Sequence, residues 1–238
     1  MKILAINGSP KGQKSSTHVM INSFLEGAKK QGALVENIFL SNMNINYCKG
    51  CFVCWTTTPG KCIFKDDMVE LLPKIRESDI VILGSPLYCN NITGNLKTFI
   101  DRMLPLGTPY FEKDENGLYR HGEEGHDWAP KFIMVSNCGF PEKDHFDSIS
   151  LWVKRFARNC KGEVIAEIYK GQGPLLVSKS DKLKKAIDEY KSVLRTAGEE
   201  IVTSGTLSEA TKETLNKDII PHEDYIRNVT SNWNNKRP

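Results

Sequence analysis

The N-terminal stretch KILAINGSPKGQKSST carries hydroxyl groups, amides and lysines in a pattern that suits a bound anion. An apolar run ends at Asn7, and a helical pattern begins near Ser15. The N–H groups at the start of a helix carry partial positive charge and bind phosphate. The sequence therefore predicts a phosphate-binding loop between the first strand and the first helix. The alternative is a plain strand-to-helix turn in which a serine caps the helix.

The segment GSPKGQKS comes close to the nucleotide-binding pattern G-x-x-x-x-G-K-S/T, which raises the question of which anion is bound. Gln13 occupies the place of the second glycine, and Pro10 stiffens a loop that is otherwise flexible. In addition, no later strand pattern ends in an aspartate that would hold Mg²⁺. These departures disfavour a nucleoside triphosphate and favour a phosphate monoester bound by amides and hydroxyls.

A second group of chemically capable residues lies in the segment CKGCFVCWTTTPGKC. Its cysteines, separated by two, two and seven residues, are Cys48, Cys51, Cys54 and Cys62. Consecutive C-x-x-C steps can present thiolates to one compact cluster, which favours iron–sulfur ligation. A structural zinc site more often joins two such pairs across a longer insert. Buried free thiols and a redox disulfide also fit this segment, and we expect it to reach over the ligand-binding edge or across a dimer.

Alternating strand and helix patterns must position these motifs. Apolar runs predict five strands, at residues 2–6, 33–40, 79–84, 131–136 and 163–169. Amphipathic spacing predicts five helices, at residues 15–31, 68–78, 95–103, 146–160 and 181–203. Five alternations of strand and helix predict an α/β fold, with an open parallel sheet and helices on both of its faces.

The predicted domain covers residues 1–205 and contains two long connections. These are a cysteine-rich loop at 41–67 and an insert at 105–130, and connections of that length in a compact domain are usually functional. Residues 206–238 show weak periodicity. We expect this C-terminal extension to pack on the domain or on a neighbouring subunit.

Composition and charge exclude several classes of protein. The net charge is +3 over 238 residues, and no basic block appears, so we expect no nucleic-acid partner. The chain has no apolar run of about 18 residues and its first residues do not resemble a signal peptide, so we expect a cytoplasmic protein without a membrane partner. In a reducing cytoplasm, seven cysteines suit metal or redox chemistry better than structural disulfides.

Two further motifs follow predicted strands at the same sheet edge as the phosphate loop. GSPLYCNNITGNLKTFIDR follows the third strand, and SNCGFPEK follows the fourth. Ligands of doubly wound sheets bind in the crevice at the carboxyl ends of the strands. Residues 86–88 offer a flat apolar surface, Asn90 and Asn91 offer hydrogen bonds, and Gly139 permits close backbone approach. The edge therefore suits a planar heterocycle.

Together, GSPKGQKSST, GSPLYCNNITGNLKTFIDR and SNCGF resemble the NAD(P)H-dependent FMN reductase group of flavodoxin-like proteins over roughly residues 1–170. The resemblance implies a flavodoxin-like sheet of order 2-1-3-4-5 and bound FMN. It implies that the FMN phosphate contacts Ser9, Lys11, Ser15, Ser16 and Thr17. It also implies that the isoalloxazine ring lies against two loops, formed by Pro86, Leu87, Tyr88, Asn90, Asn91, Ile92 and Thr93 and by Asn137, Cys138 and Gly139.

The cysteine segment resembles the compact motif of iron–sulfur flavoproteins, a branch of the same group, which implies a 4Fe-4S cluster on the four cysteines. The resemblance implies an oxidoreductase that passes electrons from transiently bound NAD(P)H through FMN to a flavin, quinone or protein acceptor. No catalytic side chain is assigned, because the flavin carries the chemistry. The alternative is an electron-transfer flavoprotein reduced by a ferredoxin-like partner. The resemblance also implies a homodimer or homotetramer, since the family completes its flavin pocket from a neighbouring subunit.

Overall fold

The computed structural model describes residues 1–122 and 128–235, and its apolar runs form a parallel sheet. Its strands are β1 (Lys2–Asn7), β2 (Leu34–Phe39), β3 (Ile80–Pro86), β4 (Phe111–Lys113), β5 (Tyr119–His121), β6 (Lys131–Asn137) and β7 (Glu163–Lys170). Five of them pair in parallel in the order β2-β1-β3-β6-β7. This is the predicted order 2-1-3-4-5, because β4 and β5 form a separate antiparallel hairpin.

Helices cover both faces of the sheet, as the alternating pattern predicts. They are α1 (Ser16–Lys30), α2 (Met68–Arg76), α3 (Gly94–Asp101), α4 (Asp147–Asn159), α5 (Asp181–Ser204), α6 (Glu209–Leu215) and α7 (His222–Asn234). One apolar core joins the sheet to α1 and α5, and the other joins it to α2, α3 and α4. The strands are apolar on both faces because each face is covered by a core.

Two glycines fix the position of α1, whose first turn belongs to the predicted phosphate loop. A Cβ on Gly27 would lie 1.9 Å from the carbonyl oxygen of Arg195, and a Cβ on Gly198 would lie 2.0 Å from that of Phe24. The backbones of α1 and α5 therefore touch, which no larger residue would permit. This contact holds α1 against the sheet and sets where its N-terminus lies.

The long insert and the C-terminal extension contain structure that the sequence pattern does not predict. The insert holds the β4–β5 hairpin, while residues 123–127 within it, like residues 236–238, lie outside the described residues. Residues 206–235 form α6 and α7, neither of which the sequence pattern predicts. Ser208 caps α6 by accepting from Thr211 N, and Glu200 accepts from both residues.

The extension returns to the sheet at the end of β7. The Nζ of Lys170, which is 3% exposed, donates to the carbonyl oxygen of Lys217 and lies 4.6 Å from the centroid of the Tyr190 ring. Burial lowers the pKa of Lys170 to about 8, although the nearby Asp218 carboxylate opposes that shift. None of the helices in the described parts of the chain combines the length and apolar character needed to cross a membrane.

Candidate functional site

The loop between β1 and α1 is held against the neighbouring strand. Gly8 N donates to Gly84 O at 2.7 Å, and Asn7 Oδ1 accepts from Ser9 N at 3.1 Å. A Cβ on Gly8 would lie 2.7 Å from the Cβ of Leu96. Only glycine therefore allows the end of β1 to approach α3 this closely, and the loop is fixed at the carboxyl edge of the sheet.

Ser15 serves as the N-cap of α1. Its Oγ accepts from His18 N at 3.0 Å and donates to Gly12 O at 2.7 Å. The Ser15 side chain is thus engaged inside the loop, as in a plain capped strand-to-helix turn. Ser16 and Thr17 occupy the first two helical positions, where the positive end of the helix lies.

Three hydrogen bonds join the three predicted ligand loops to one another. Thr93 Oγ1 donates to Gly8 O at 2.7 Å, Leu87 N donates to Asn137 O at 2.8 Å, and Asn137 Nδ2 donates to Thr17 Oγ1 at 2.8 Å. Because the Thr17 hydroxyl accepts from Asn137, its own proton is available for a ligand. The loops therefore form one connected edge, although they are far apart in sequence.

A crevice opens where these loops meet. It is lined by Ser9, Lys11, Lys14, Ser15, Ser16, Thr17, Pro86, Leu87, Tyr88, Asn137, Cys138, Gly139, Pro174 and Val177. Most of the predicted cofactor-binding residues are in this set. Hydroxyls and lysines lie at the α1 end, and the apolar residues of the second loop lie beside them. The arrangement has the charge and shape to hold an anionic tail and a flat ring.

Four of the predicted ligand residues are absent from the lining of this crevice: Asn90, Asn91, Ile92 and Thr93. Thr93 caps α3 by accepting from Leu96 N, besides its bond to Gly8, and Ile92 is 8% exposed within the core. Asn90 and Asn91 belong to a tight turn that begins at Tyr88. In this structure the four residues shape the second loop and do not line the crevice.

That turn presents Tyr88 to the crevice. Cys89 and Asn90 both have positive φ, at 48° and 59°, and Tyr88 and Asn91 exchange backbone hydrogen bonds of 2.8 and 3.0 Å. Two central residues with positive φ are the mark of a type I′ turn. The Tyr88 side chain, at the start of the turn, is 45% exposed, so the turn leaves an aromatic surface available beside the crevice.

Pro174 and Val177 also line the crevice, although neither belongs to a motif that predicted ligand contacts. They belong to a 3-10 turn, Gly173–Val177, which follows β7. The rule that loops after parallel strands share one edge applies to the fifth strand of the sheet as well as to the first four. The segment GQGPLLV after that strand is the signal that could have identified them.

The four clustered cysteines share a second cavity. Its lining contains Cys48, Cys51, Cys54 and Cys62, together with the end of α3 and Leu104. Burial raises the pKa of the Cys54 thiol, and the neighbouring cysteines raise it further. Among the described residues, no group of three or more His, Cys, Asp or Glu side chains is placed so that it could hold a metal ion. Four free thiols on one cavity nevertheless provide the donor set of an iron–sulfur cluster.

A buried arginine, absent from the sequence-based prediction, supports the cysteine cavity. Arg102 is 1% exposed and forms two hydrogen bonds with Asp66, from Nη1 to Oδ2 at 2.7 Å and from Nη2 to Oδ1 at 3.0 Å. Nη2 also lies 3.4 Å from Cys62 Sγ. Although burial opposes it, hydrogen bonds from Arg102 and Asn46 hold the pKa of Asp66 well below its usual range. The signal in the sequence is the arginine that ends TGNLKTFIDR.

The two sites lie at opposite ends of α3. Thr93 caps the helix at the crevice edge, whereas Asp101 and Arg102 line the cysteine cavity. Eight helical residues span about 12 Å. Among the described residues, the two cavities share no lining residue.

Comparison with known proteins identifies the family. A family model described as NADPH-dependent FMN reductase matches residues 1–120, half of the chain. The chain belongs to this family. The matched residues include the phosphate loop, the cysteine segment and the whole of the second loop. The third loop, the turn after β7 and the C-terminal extension lie beyond the matched part.

Several curated proteins resemble nearly half of the chain. An iron-sulfur flavoprotein of Archaeoglobus fulgidus is 44% identical over 107 residues, which are 45% of this chain and 47% of that protein. An iron-sulfur flavoprotein of Methanocaldococcus jannaschii is 42% identical over 102 residues, 43% of this chain and 50% of that protein. The chain thus spans about half the length of the curated relatives it matches.

Solved structures show the same fold. An FMN-dependent NADH-azoreductase from Bacillus anthracis, solved with FMN, has a TM-score of 0.60 at 16% identity, over 85% of this chain and 99% of that one. An NAD(P)H:quinone oxidoreductase from Methanothermobacter marburgensis has a TM-score of 0.56 at 16% identity, over 84% and 96%. At these identities the likeness concerns the fold, and it confirms the predicted flavodoxin-like architecture.

Proposed function

We propose that this chain binds FMN in the crevice and is an oxidoreductase that takes electrons from NAD(P)H. The observation that carries the proposal is the composition of the crevice, with hydroxyls, two lysines and a helix N-terminus at one end and a flat apolar surface at the other. Membership of the NADPH-dependent FMN reductase family supports the same ligand. A phosphate site without a ring would leave the surface of residues 86–88 without a role.

The α1 end of the crevice fits a phosphate monoester. Lys11 and Lys14 bring two positive charges, which match the charge of about −2 on a phosphate monoester at neutral pH. Ser16 and Thr17 offer hydroxyls and backbone N–H groups at the start of the helix. Ser15 would contribute through its backbone, because its hydroxyl is already bonded at both ends.

The other end fits the isoalloxazine ring. A Cβ placed on Gly139 would meet no atom of the described residues within 4 Å, so space is open beside this residue. Its φ is not positive, and the glycine is therefore not required by its backbone conformation. We infer that its lack of a side chain leaves room for the ring. Pro86 and Tyr88 of the second loop would lie against the ring, and Asn137 of the third loop would lie beside it.

Bound FMN would supply the hydride and electron chemistry, and the protein would bind and orient it. In this proposal the α1 end holds the phosphate, and the second and third loops hold the ring with one side accessible to NAD(P)H. The electron acceptor is a flavin, a quinone or a protein. No side chain is assigned a proton-transfer role.

The cysteine cavity supports a second proposal, that Cys48, Cys51, Cys54 and Cys62 hold a 4Fe-4S cluster. The shared cavity and the resemblance of nearly half of the chain to iron-sulfur flavoproteins support it. Such a cluster would allow single-electron exchange with a ferredoxin-like partner. The alternative function is then an electron-transfer flavoprotein reduced by that partner and not by NAD(P)H.

Anaerobic reduction separates the two functions. FMN-loaded protein is mixed with NADH or NADPH, the flavin absorbance is followed, and a quinone is then added. Loss of the flavin absorbance, followed by its return with the quinone, supports the oxidoreductase. Flavin that stays oxidised with both nucleotides but is reduced by reduced ferredoxin supports the electron-transfer alternative.

We further propose that the protein is cytoplasmic and forms a homodimer or homotetramer, in which residues 1–205 are the FMN-binding domain and residues 206–238 the extension. The separation of the two cavities along α3 supports an assembly, because a second subunit would bring another crevice within reach of the cysteine segment. A fully active monomer in light scattering would contradict it.

Replacing Ser16 and Thr17 with alanine is expected to weaken FMN binding about a hundredfold or more. Each hydrogen bond to a charged group is worth about 1.5–3 kcal/mol, and each factor of ten in affinity corresponds to about 1.4 kcal/mol. Titration of the flavin-free protein with FMN, followed by fluorescence quenching, measures the change. The matched control replaces Ser192 and Thr196, which are exposed on α5. If the double variant binds FMN as tightly as the wild type, the assignment of the phosphate to this loop is wrong.

A further inference from the structure

The C-terminal extension contacts the crevice through one side chain. Tyr225, on α7, is 1% exposed, and its Oη donates to Gly139 O at 2.8 Å. Gly139 lines the crevice, where space is open beside its Cα. A residue of the extension, which lies outside the part matched by the family model, is thus bonded to the backbone that faces the proposed ring.

The extension is anchored at the same edge of the sheet by a second buried side chain. Gln172, which is 0% exposed, accepts from the backbone N of Ile219 and of Ile220 at 3.1 and 3.2 Å and donates to Ile220 O at 2.7 Å. Three hydrogen bonds from one buried side chain fix the segment between α6 and α7. This anchor sets where α7 begins and therefore where Tyr225 lies.

Backbone hydrogen bonds to the end of β7 and the turn after it hold the residues on either side of Gly139. Cys138 N donates to Lys170 O at 3.1 Å, Cys138 O accepts from Gly173 N at 2.7 Å, and Phe140 O accepts from Gln172 N at 2.9 Å. These bonds hold the residues before and after Gly139. The carbonyl of Gly139 itself is held by Tyr225.

The Tyr225 bond therefore fixes the plane of one peptide. In a planar trans peptide the carbonyl of Gly139 and the N–H of Phe140 point in opposite directions. With the carbonyl turned toward α7, the N–H is turned away from it. Because glycine adopts a wide range of backbone angles, this peptide can rotate more easily than others if the bond is lost.

We propose that Tyr225 is a positioning residue for the flavin and acts through the Gly139–Phe140 peptide, an inference that rests on the proposed binding of FMN. Hydrogen-bonding groups near the ring tune the electronics of a bound flavin, so the orientation of this peptide affects both its affinity and its potential. The C-terminal extension is thereby part of the flavin site, although none of its described residues lines the crevice.

The test is Tyr225→Phe in the full-length protein, which removes the hydroxyl and keeps the buried ring. We expect FMN to dissociate about threefold to tenfold more readily, as for the loss of one ordinary hydrogen bond. We also expect a changed visible circular dichroism spectrum and a shifted midpoint potential of the bound flavin, which a merely structural role would leave unmoved. Tyr190→Phe is the matched control, because the buried Tyr190 hydroxyl has no hydrogen-bond partner among the described residues.

The outcomes separate this inference from the function on which it rests. Wild-type protein that binds no FMN overturns both. Wild-type protein that binds FMN, with a Tyr225→Phe variant of equal affinity, spectrum and potential, overturns only the role of Tyr225. If Tyr225→Phe unfolds at a lower temperature, Ile201→Val distinguishes the causes, since it removes one buried methyl group from α5, away from the crevice, and leaves the Tyr225 bond in place. Equal losses of stability with a flavin change only in Tyr225→Phe support the inference, and identical flavin changes in both variants contradict it.

Discussion

Replacing Cys54 or Cys62 with serine is expected to abolish bound iron while FMN is retained. Both thiols line the cavity shared by the four clustered cysteines, and clusters of this type are held by four cysteine thiolates. The crevice lies at the other end of α3 and has none of these cysteines in its described lining, so the flavin should stay bound. The measurement is the amount of iron, sulfide and flavin in anaerobically purified protein, with roughly four irons per wild-type chain.

Cys160→Ser is the control for this experiment. Cys160 lies outside the lining of the cavity that the four clustered cysteines share, so we do not expect it to bind iron there. Its replacement should leave the iron content unchanged. Wild-type protein with active flavin and no iron would contradict the cluster. One zinc per chain would instead indicate a loop stabilised by a structural metal.

The sheet was predictable because its signals are local. The run at residues 79–84 is apolar without alternation, which occurs where helices cover both faces, and the same holds for the run at 131–136. Once the strands were placed, the edge rule brought the loops at Ser16 and Gly139 together without knowledge of any contact. Crevice residues that directly follow a strand can therefore be predicted from the sequence.

The remaining features depend on contacts between residues distant in sequence. Thr93 has the residue type of a ligand contact, but its hydroxyl bonds Gly8, 85 residues away. Tyr225 reaches Gly139 across 86 residues, from a helix outside the predicted domain. Arg102 ends an amphipathic helix, a position normally exposed, and is buried because Asp66 lies opposite it. Local pattern determines which residues could do chemistry, whereas tertiary contacts determine which of them are already engaged.

Replacing Arg102 with methionine is expected to destabilise the fold by about 3–5 kcal/mol, the range for removing one partner of a buried ion pair. The side chains of Arg102 and Asp66 are 1% and 2% exposed, so the variant leaves a carboxylate without its partner in the interior. Urea unfolding measures the change. Lys74→Met is the control, since the pair of Lys74 with Glu36 is about half exposed and should contribute less than about 1 kcal/mol.

The dependence on pH identifies the cause of this loss. The pKa of Asp66 is depressed in the folded protein, so the pair stabilises the fold above the usual pKa of a free aspartate, about 4, and that stability is lost as the pH falls further. The difference in unfolding free energy between wild type and Arg102→Met should therefore shrink in acid. Asp66→Asn combined with Arg102→Met should recover much of the loss at neutral pH, because no charge is then left buried. A loss that is independent of pH and unchanged in the double variant would mean that Arg102 stabilises the cavity by packing on Phe64, whose ring centroid lies 4.9 Å from its guanidinium carbon.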